Sequence, residues 1–256
     1  MLRPRGPYAD SVDALLLSLR AAGFSGAPVP AGVTGDGRER LEFIEGDVAL
    51  PPYPDWAQSD EALASVAVLM RRFHDASGAA WSPELAGLAW SAELADPAGG
   101  AAGLAGGAGL AGGAVICHND VCLENLVFQD GVAIALLDFD FAAPGRPVYD
   151  LAQFARLCVP IDDEVSAARL GWQPADKSAR LRLVADSYGL DLGSRRQLLE
   201  VMDASIARGG EFVRRRVEAG DPNFIAMWEA MGGGERFDRR RRWWSAQRQR
   251  FATVLR

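Results

Sequence analysis

Three oxygen-bearing side chains, Asp120, Asn125 and Asp138, fall within one short stretch, Val115–Asp138, VICHNDVCLENLVFQDGVAIALLD. Val115, Ile116 and Cys117 read as a short apolar strand, followed by a polar loop and two further apolar runs. Those runs, Leu126–Phe128 and Val132–Leu137, are separated by Gln129-Asp130-Gly131, and Asp-Gly between apolar segments is a strong hairpin signal. A hairpin folds Asn125, at the mouth of the first run, back beside Asp138, at the exit of the second. Cross-strand neighbours lie about 5 Å apart, so a carboxylate and an amide oxygen there can share one hard cation. Asp120 lies on the loop leading in. One group to orient a hydroxyl and two to hold Mg²⁺ against phosphates is the set that phosphoryl transfer needs. Alone, Asp120 would read as a loop aspartate capping a turn; its company is what suggests a base.

His118-Asn119-Asp120-Val121-Cys122-Leu123-Glu124-Asn125 fits the H-x-D-x-x-x-x-N catalytic loop of the kinase fold, and Leu137-Asp138-Phe139 fits the metal-binding segment after it. The middle Arg of the protein-kinase version is Asn119, and the D-F-G glycine is Asp140. Pro144-Gly145-Arg146-Pro147-Val148-Tyr149-Asp150-Leu151-Ala152 follows in place of an A-P-E segment. The chain therefore resembles the aminoglycoside phosphotransferase and choline kinase superfamily of small-molecule kinases, specifically from Val115 to Phe154 and more loosely from Pro7 to Ser77 and through the C-terminal helices.

That resemblance implies an α+β, protein-kinase-like fold. Residues 1–46 would form a truncated N-terminal lobe and hinge, and residues 47–256 a mainly helical C-terminal lobe carrying the catalytic loop and the metal-site hairpin. It implies ATP (or GTP) and Mg²⁺ as cofactors and a hydroxyl of a small molecule as acceptor, with aminoglycosides and amino alcohols among the candidates. It assigns Asp120 as catalytic base and has His118 brace the loop by hydrogen bonding without transferring a proton. Asn125 and Asp138 become metal ligands, and Asp150 a buried brace taking backbone N–H bonds from the catalytic loop. The backbone of Phe43, Ile44 and Glu45 would meet the adenine. About 40 residues precede that hinge and none is lysine; the single lysine is Lys177. Arg3 or Arg5 is then left to stand in for the phosphate-binding lysine, and a guanidinium is not a point charge. Asp140 either adds a carboxylate to the site or faces solvent. The alternative, from another class, is a kinase-like protein that holds a nucleotide or small ligand without turnover.

Several elements must position these groups. Asp10 is a plausible N-cap for a helix over roughly Ser11–Ala22, with Val12, Leu15, Leu16 and Leu19 as its apolar stripe and Gly23 ending it. Pro28 to Gly37 reads as loop, and Arg40–Ile44 as a strand. After the prolines at 51, 52 and 54, Ser59-Asp60-Glu61 opens an amphipathic helix to about His74, burying Leu63, Val66, Ala67, Met70 and Phe73. His74 reads as a hydrogen-bonded structural histidine. Helical patterns follow over roughly Leu151–Leu157, Asp176–Tyr188, Ser194–Ala219, Pro222–Met231 and Glu235–Leu255, with Ser194 and Asp221 as N-caps and Gly189 and Gly220 as stops.

Other features carry less. The segment 95–113 is a Gly/Ala-rich, flexible insertion, and the formal G-x-G-x-x-G at Gly107–Gly112 follows from its low complexity. Cys117, His118 and Cys122 offer too few ligands for a zinc site. Asp162, Asp163 and Glu164 could greet a cationic substrate, but such a run is more often a solvated helix start. The Arg-rich tail with Trp243 and Trp244 reads as a packed terminal helix with a solvated basic face. Net charge of −7 argues against general nucleic-acid binding and mildly favours a cationic acceptor. An odd number of cysteines, three, argues against a disulfide framework. No 18-residue apolar run and no signal-peptide core is present, so the expectation is a cytoplasmic protein without a membrane partner.

Overall fold

The structure, a computed structural model, describes residues 1–98 and 115–256. The predicted Gly/Ala insertion from residue 99 onward, and the G-x-G-x-x-G within it, lie outside the described residues. The N-terminal part comprises β1 (Leu2–Pro4), α1 (Ala9–Ala21), β2 (Pro30–Val33) and β3 (Arg38–Leu41). The three strands form one antiparallel sheet in the order β1-β3-β2, with Arg3 opposite Glu39. β1 and β2 lie where the sequence suggested no strand, and β3 ends at Leu41 rather than Ile44. The physical reason is exposure: most side chains of these short strands face solvent, so pairing stabilises them and no period-2 apolar pattern is written into them. In α1 the apolar stripe Val12, Leu15, Leu16, Leu19 is buried as expected. Asp10, however, is not its cap; it sits in the first turn and pairs with Arg5.

The next helix, α2 (Asp60–Ala79), is capped by Ser59, whose hydroxyl accepts from the Ala62 N–H at 3.0 Å. It runs a turn past His74 and buries the predicted face. A short α3 (Pro83–Ala86) precedes β4 (Val115–Cys117), β5 (Leu126–Gln129), β6 (Val132–Leu136) and β7 (Ala143–Gly145). β5 and β6 form the expected antiparallel hairpin, closed by Asp130 at φ 49° and Gly131 at φ 76°. Positive φ at both central residues is the turn whose twist matches the strands. β4 pairs antiparallel with β7, so the strand before the His118–Asn125 loop is tied to the segment before the next helix.

That helix is α4 (Pro147–Cys158), with Pro147 in its first turn. Then come α5 (Glu164–Arg169), α6 (Lys177–Tyr188), α7 (Leu192–Glu218), α8 (Pro222–Met231) and α9 (Gly233–Val254). The cap of α7 is Asp191, which accepts from the Ser194 N–H, so Ser194 lies inside the helix it was expected to start. One apolar core links the layers, with Leu16, Phe73, Phe128, Phe139, Phe154 and Phe251 among its fully buried members. Each such side chain contributes about 1.5–3 kcal/mol. α2 is the central strut, touching α1, α6, β4 and β6.

Candidate active site

The catalytic-loop sequence is held from below by Asp150, in the first turns of α4 and fully buried. Its Oδ2 accepts from the His118 N–H at 2.7 Å and its Oδ1 from the Asn119 N–H at 2.8 Å. Oδ2 also meets His74 Nε2 at 2.9 Å, and His74 Nδ1 meets the Tyr188 hydroxyl at 2.7 Å. Burial by itself would raise the Asp150 pKa, but the hydrogen bonds from His74 and the His118 N–H outweigh it and hold the carboxyl below its ordinary value. His74, Cys117 and Asp150 place ligand atoms within 4.8 Å of one another. Both ring nitrogens of His74 are already bonded, so this cluster is a brace rather than a metal centre.

His118 accepts the Asp120 N–H on Nδ1 at 3.3 Å and donates from Nε2 to the Leu137 carbonyl at 2.8 Å. Its partners thus assign the Nε2–H tautomer. Phe139 packs on its ring at 4.6 Å between centroids. Asn119 stands at φ 67°, a left-handed conformation that Asn tolerates better than most residues, and its Nδ2 donates to the Phe141 carbonyl.

Asn125 donates from Nδ2 to the Asp120 backbone oxygen at 2.9 Å and to Asp120 Oδ2 at 3.2 Å. This fixes the Asp120 carboxylate and leaves the Asn125 Oδ1 with no hydrogen donor among the described residues. The Leu137 N–H donates to the Asn125 carbonyl at 2.8 Å, which sets Asp138 beside Asn125 across the hairpin mouth. Asp138 itself is at φ 58° and opens the single turn Phe139–Phe141. Burial raises the Asp120 pKa above the ordinary carboxylate value, with the charge of Arg156 among the effects acting the other way.

Of the two arginines offered for the missing lysine, the structure brings Arg3 to the site and takes Arg5 away to Asp10 and Asp13. Arg3 donates from Nη1 to Asp138 Oδ1 at 2.9 Å, from Nη2 to Asp140 Oδ1 at 2.7 Å, and from Nε to its cross-strand neighbour Glu39. Glu39 is buried, though nothing in the sequence marked it. Burial would lower the Arg3 pKa; the bond to Glu39 and the three carboxylate charges raise it instead. Asp140 is half-exposed and shares Arg3 with Asp138. Phe43, Ile44 and Glu45 join β3 to an isolated bridge between Asp47 and Phe128. Glu45 accepts on its carbonyl from Gln129 Nε2, and Phe43 is exposed.

Asp120 opens onto a cavity of about 760 Å³, within the range of small-ligand sites. Its apolar lining includes Phe141, Leu157, Phe212, Phe224, Met227 and Phe237. Its charged lining includes Arg156, Arg169, Arg236 and Arg240 together with Asp120, Glu124 and Asp162. Here two expectations need correcting. Asp162 and Asp163 are buried, not solvated: Asp163 caps α5, Arg239 pairs with Asp163, and Arg236 and Arg240 pair with Asp162. The same contacts turn part of the Arg-rich face of α9 inward. Charge runs in a sequence look solvated because their partners lie about 75 residues away, and only the docking of α9 joins them. Arg156 escaped notice for a similar reason, being an ordinary helical arginine until α7 and α9 enclose it.

The chain matches the phosphotransferase enzyme family over residues 3–183. It is 34% identical over 191 residues to the trifolitoxin immunity protein of Rhizobium leguminosarum bv. trifolii, covering 73% of this chain and 67% of that protein. Among solved structures it is similar to a choline/ethanolamine kinase family protein from Mesorhizobium loti, with TM-score 0.58 and 17% identity over 100% of this chain and 86% of the other. It is also similar to a macrolide 2′-phosphotransferase from Brachybacterium faecium, with TM-score 0.52 and 18% identity over 90% and 83%. The α+β, protein-kinase-like architecture that the family resemblance implied is the one these neighbours share.

Proposed function

The chain belongs to the phosphotransferase enzyme family, and from that premise we propose that it moves the γ-phosphoryl group of ATP (or GTP) to a hydroxyl of a small molecule. The observation that carries this most is the hydrogen bond from Asn125 to Asp120 at the rim of a ligand-sized cavity, with Asp138 laid alongside by the Leu137–Asn125 backbone bond.

In this mechanism Asp120 aligns the acceptor hydroxyl and takes its proton as the oxygen attacks phosphorus. Asn125 keeps the carboxylate in place from one side, and Asp150 keeps the whole loop in place from below. Asn125 Oδ1 and Asp138, both hard oxygen donors, would hold Mg²⁺, which when bound neutralises charge on the phosphates. Arg3, already against Asp138 and Asp140, serves as the phosphate-facing cation, its planar fork suited to two oxygens at once. The backbone of Phe43 and Ile44, which makes no hydrogen bond among the described residues, is assigned to the adenine edge, next to Glu45. The three free cysteines suit a reducing, cytoplasmic setting; among the described residues no helix is long and apolar enough to cross a membrane. The name of the immunity protein suggests an acceptor that is a toxic compound, disarmed by phosphorylation.

The test is ADP release from Mg·ATP over a panel of hydroxyl compounds. Asp120→Asn should lower turnover by about 10²–10⁴-fold, and EDTA should abolish it. Turnover unchanged by Asp120→Asn would sink the assignment.

A further inference from the structure

The arginines around the acceptor cavity are unequal in how they are used. Arg236 and Arg240 both donate to Asp162, and Arg240 lies buried there. Among the described residues Arg156, like the exposed Arg169, has no such partner. Its one hydrogen bond among the described residues runs from Nε to Gln153 Oε1 at 3.3 Å, and neither Nη has one. Burial, and then the neighbouring cations of Arg240 and Arg236, lower its pKa to about 10, with Asp120 and Asp162 acting the other way. It therefore remains charged at neutral pH, in a place that disfavours charge, with the Asp120 and Asp162 carboxylates near enough to act on it but no ion pair or bond to either among the described residues. Of the acidic groups lining the cavity besides Asp120, Asp162 is taken by two arginines, and Glu124 accepts from the Tyr53 hydroxyl on Oε1 while Oε2 is buried without a partner.

A second observation comes from the facing helix. α7 carries Gly209-Gly210 in its middle, where each glycine is less favourable than alanine by about 1 kcal/mol. A Cβ on Gly209 would lie 3.2 Å from Arg156 Cζ and 3.3 Å from its Nη1; one on Gly210 would lie 3.0 Å from the Phe237 ring. Both neighbours line the cavity. The helix is thinned where it seats this guanidinium and this ring.

We propose that the acceptor is a largely apolar, hydroxyl-bearing molecule that also carries a carboxylate, its carboxylate seated on Arg156 and its hydroxyl turned to Asp120. Phe141, Phe212 and Phe237 cover the apolar part. This deepens the phosphotransferase reading and rests on it for the direction of the hydroxyl. It runs against the cationic acceptors that the net charge favoured: overall charge is set by the whole surface, whereas Arg156 and the more exposed Arg169 line the cavity without an ion-pair partner among the described residues.

Three probes of one size separate the possibilities: 4-(hydroxymethyl)benzoate, 4-(hydroxymethyl)benzamide and 4-(aminomethyl)benzyl alcohol. Their affinities are measured by calorimetry on the whole protein, and ADP release is followed with each in the presence of Mg·ATP. The benzoate should bind about 10- to 100-fold more tightly than the amide, as for a charge-assisted pair, and the amine more weakly still. Arg156→Gln should remove that preference by raising KM for the benzoate far more than it changes kcat. Its Tm should not fall, because a crowded cation has been removed. Gly209→Ala, which displaces the guanidinium without removing it, should weaken the benzoate and leave the amide unchanged.

Tightest binding of the amine, a benzoate preference that survives Arg156→Gln, or no binding by any probe overturns the proposal. So does a uniform fall in kcat for all acceptors in Arg156→Gln, which would place Arg156 on the transferred phosphoryl group. Arg156-dependent benzoate binding without ADP release supports the carboxylate seat and counts against phosphoryl transfer. ADP release with the amine alone does the reverse.

Discussion

Asp120 and Asp150 are buried carboxylates of one neighbourhood, pushed in opposite directions. Asp150 accepts two backbone N–H bonds and faces His74, so its folded pKa lies below the ordinary value. The stability it contributes is present above its unfolded pKa and is lost as pH falls through the folded one. Asp150→Asn should cost about 3 kcal/mol in urea titrations at pH 7, because an amide nitrogen would face an N–H donor in a dry site. Asp120 has its pKa raised, chiefly by burial. Its ionised form opposes folding at neutral pH, and that opposition is relieved as pH falls through the raised value. Two results should follow. Asp120→Asn should unfold at the same or a higher temperature than the parent while losing turnover. The acid limb of kcat/KM against pH should lie above the ordinary carboxylate range, since the base must be deprotonated to act. A limb at the ordinary value, or a large loss of stability in Asp120→Asn, would recast Asp120 as a structural residue.

At the level of elements, the site depends on three attachments. The hairpin turn at Asp130-Gly131 sets Asn125 against Asp138. The pairing of β1 with β3 carries Arg3 to the carboxylates and buries Glu39 beneath it. Arg3→Gln should therefore raise the KM for ATP about 10-fold or more, with Arg3→Lys recovering part of the loss, a split read directly from nucleotide titrations. The third attachment is the seating of α9 through Asp162. Asp162→Ala leaves Arg236 and Arg240 in a partly dry wall without their shared anion, and removing one partner of a buried ion pair costs about 3–5 kcal/mol. Denaturant midpoints measure that loss directly. If the midpoint did not move, solvent must already reach the pair.

The whole molecule joins a small antiparallel sheet to a helical body through the segment after β3 and the Asp47–Phe128 bridge, with the nucleotide assigned to that junction. Mg·ATP bound across it should raise Tm with ligand concentration in the manner of a native-state ligand, and the increase should shrink in Arg3→Gln. A Tm indifferent to Mg·ATP would exclude a nucleotide site at this junction. What the sequence by itself determined is local. Asp-Gly dictated the hairpin, the spacing from His118 to Asn125 marked the loop, and 3.6-residue apolar periodicity located α1, α2 and the C-terminal helices, because these signals act between residues close in the chain. Only the tertiary structure decided which arginine meets Asp138, that Glu39 is buried, that Asp162 is paired rather than solvated, and that Arg156 lines a cavity without an ion pair among the described residues. Each of these depends on a partner dozens of residues away or more, and charge–charge contacts at that range leave no periodicity to read.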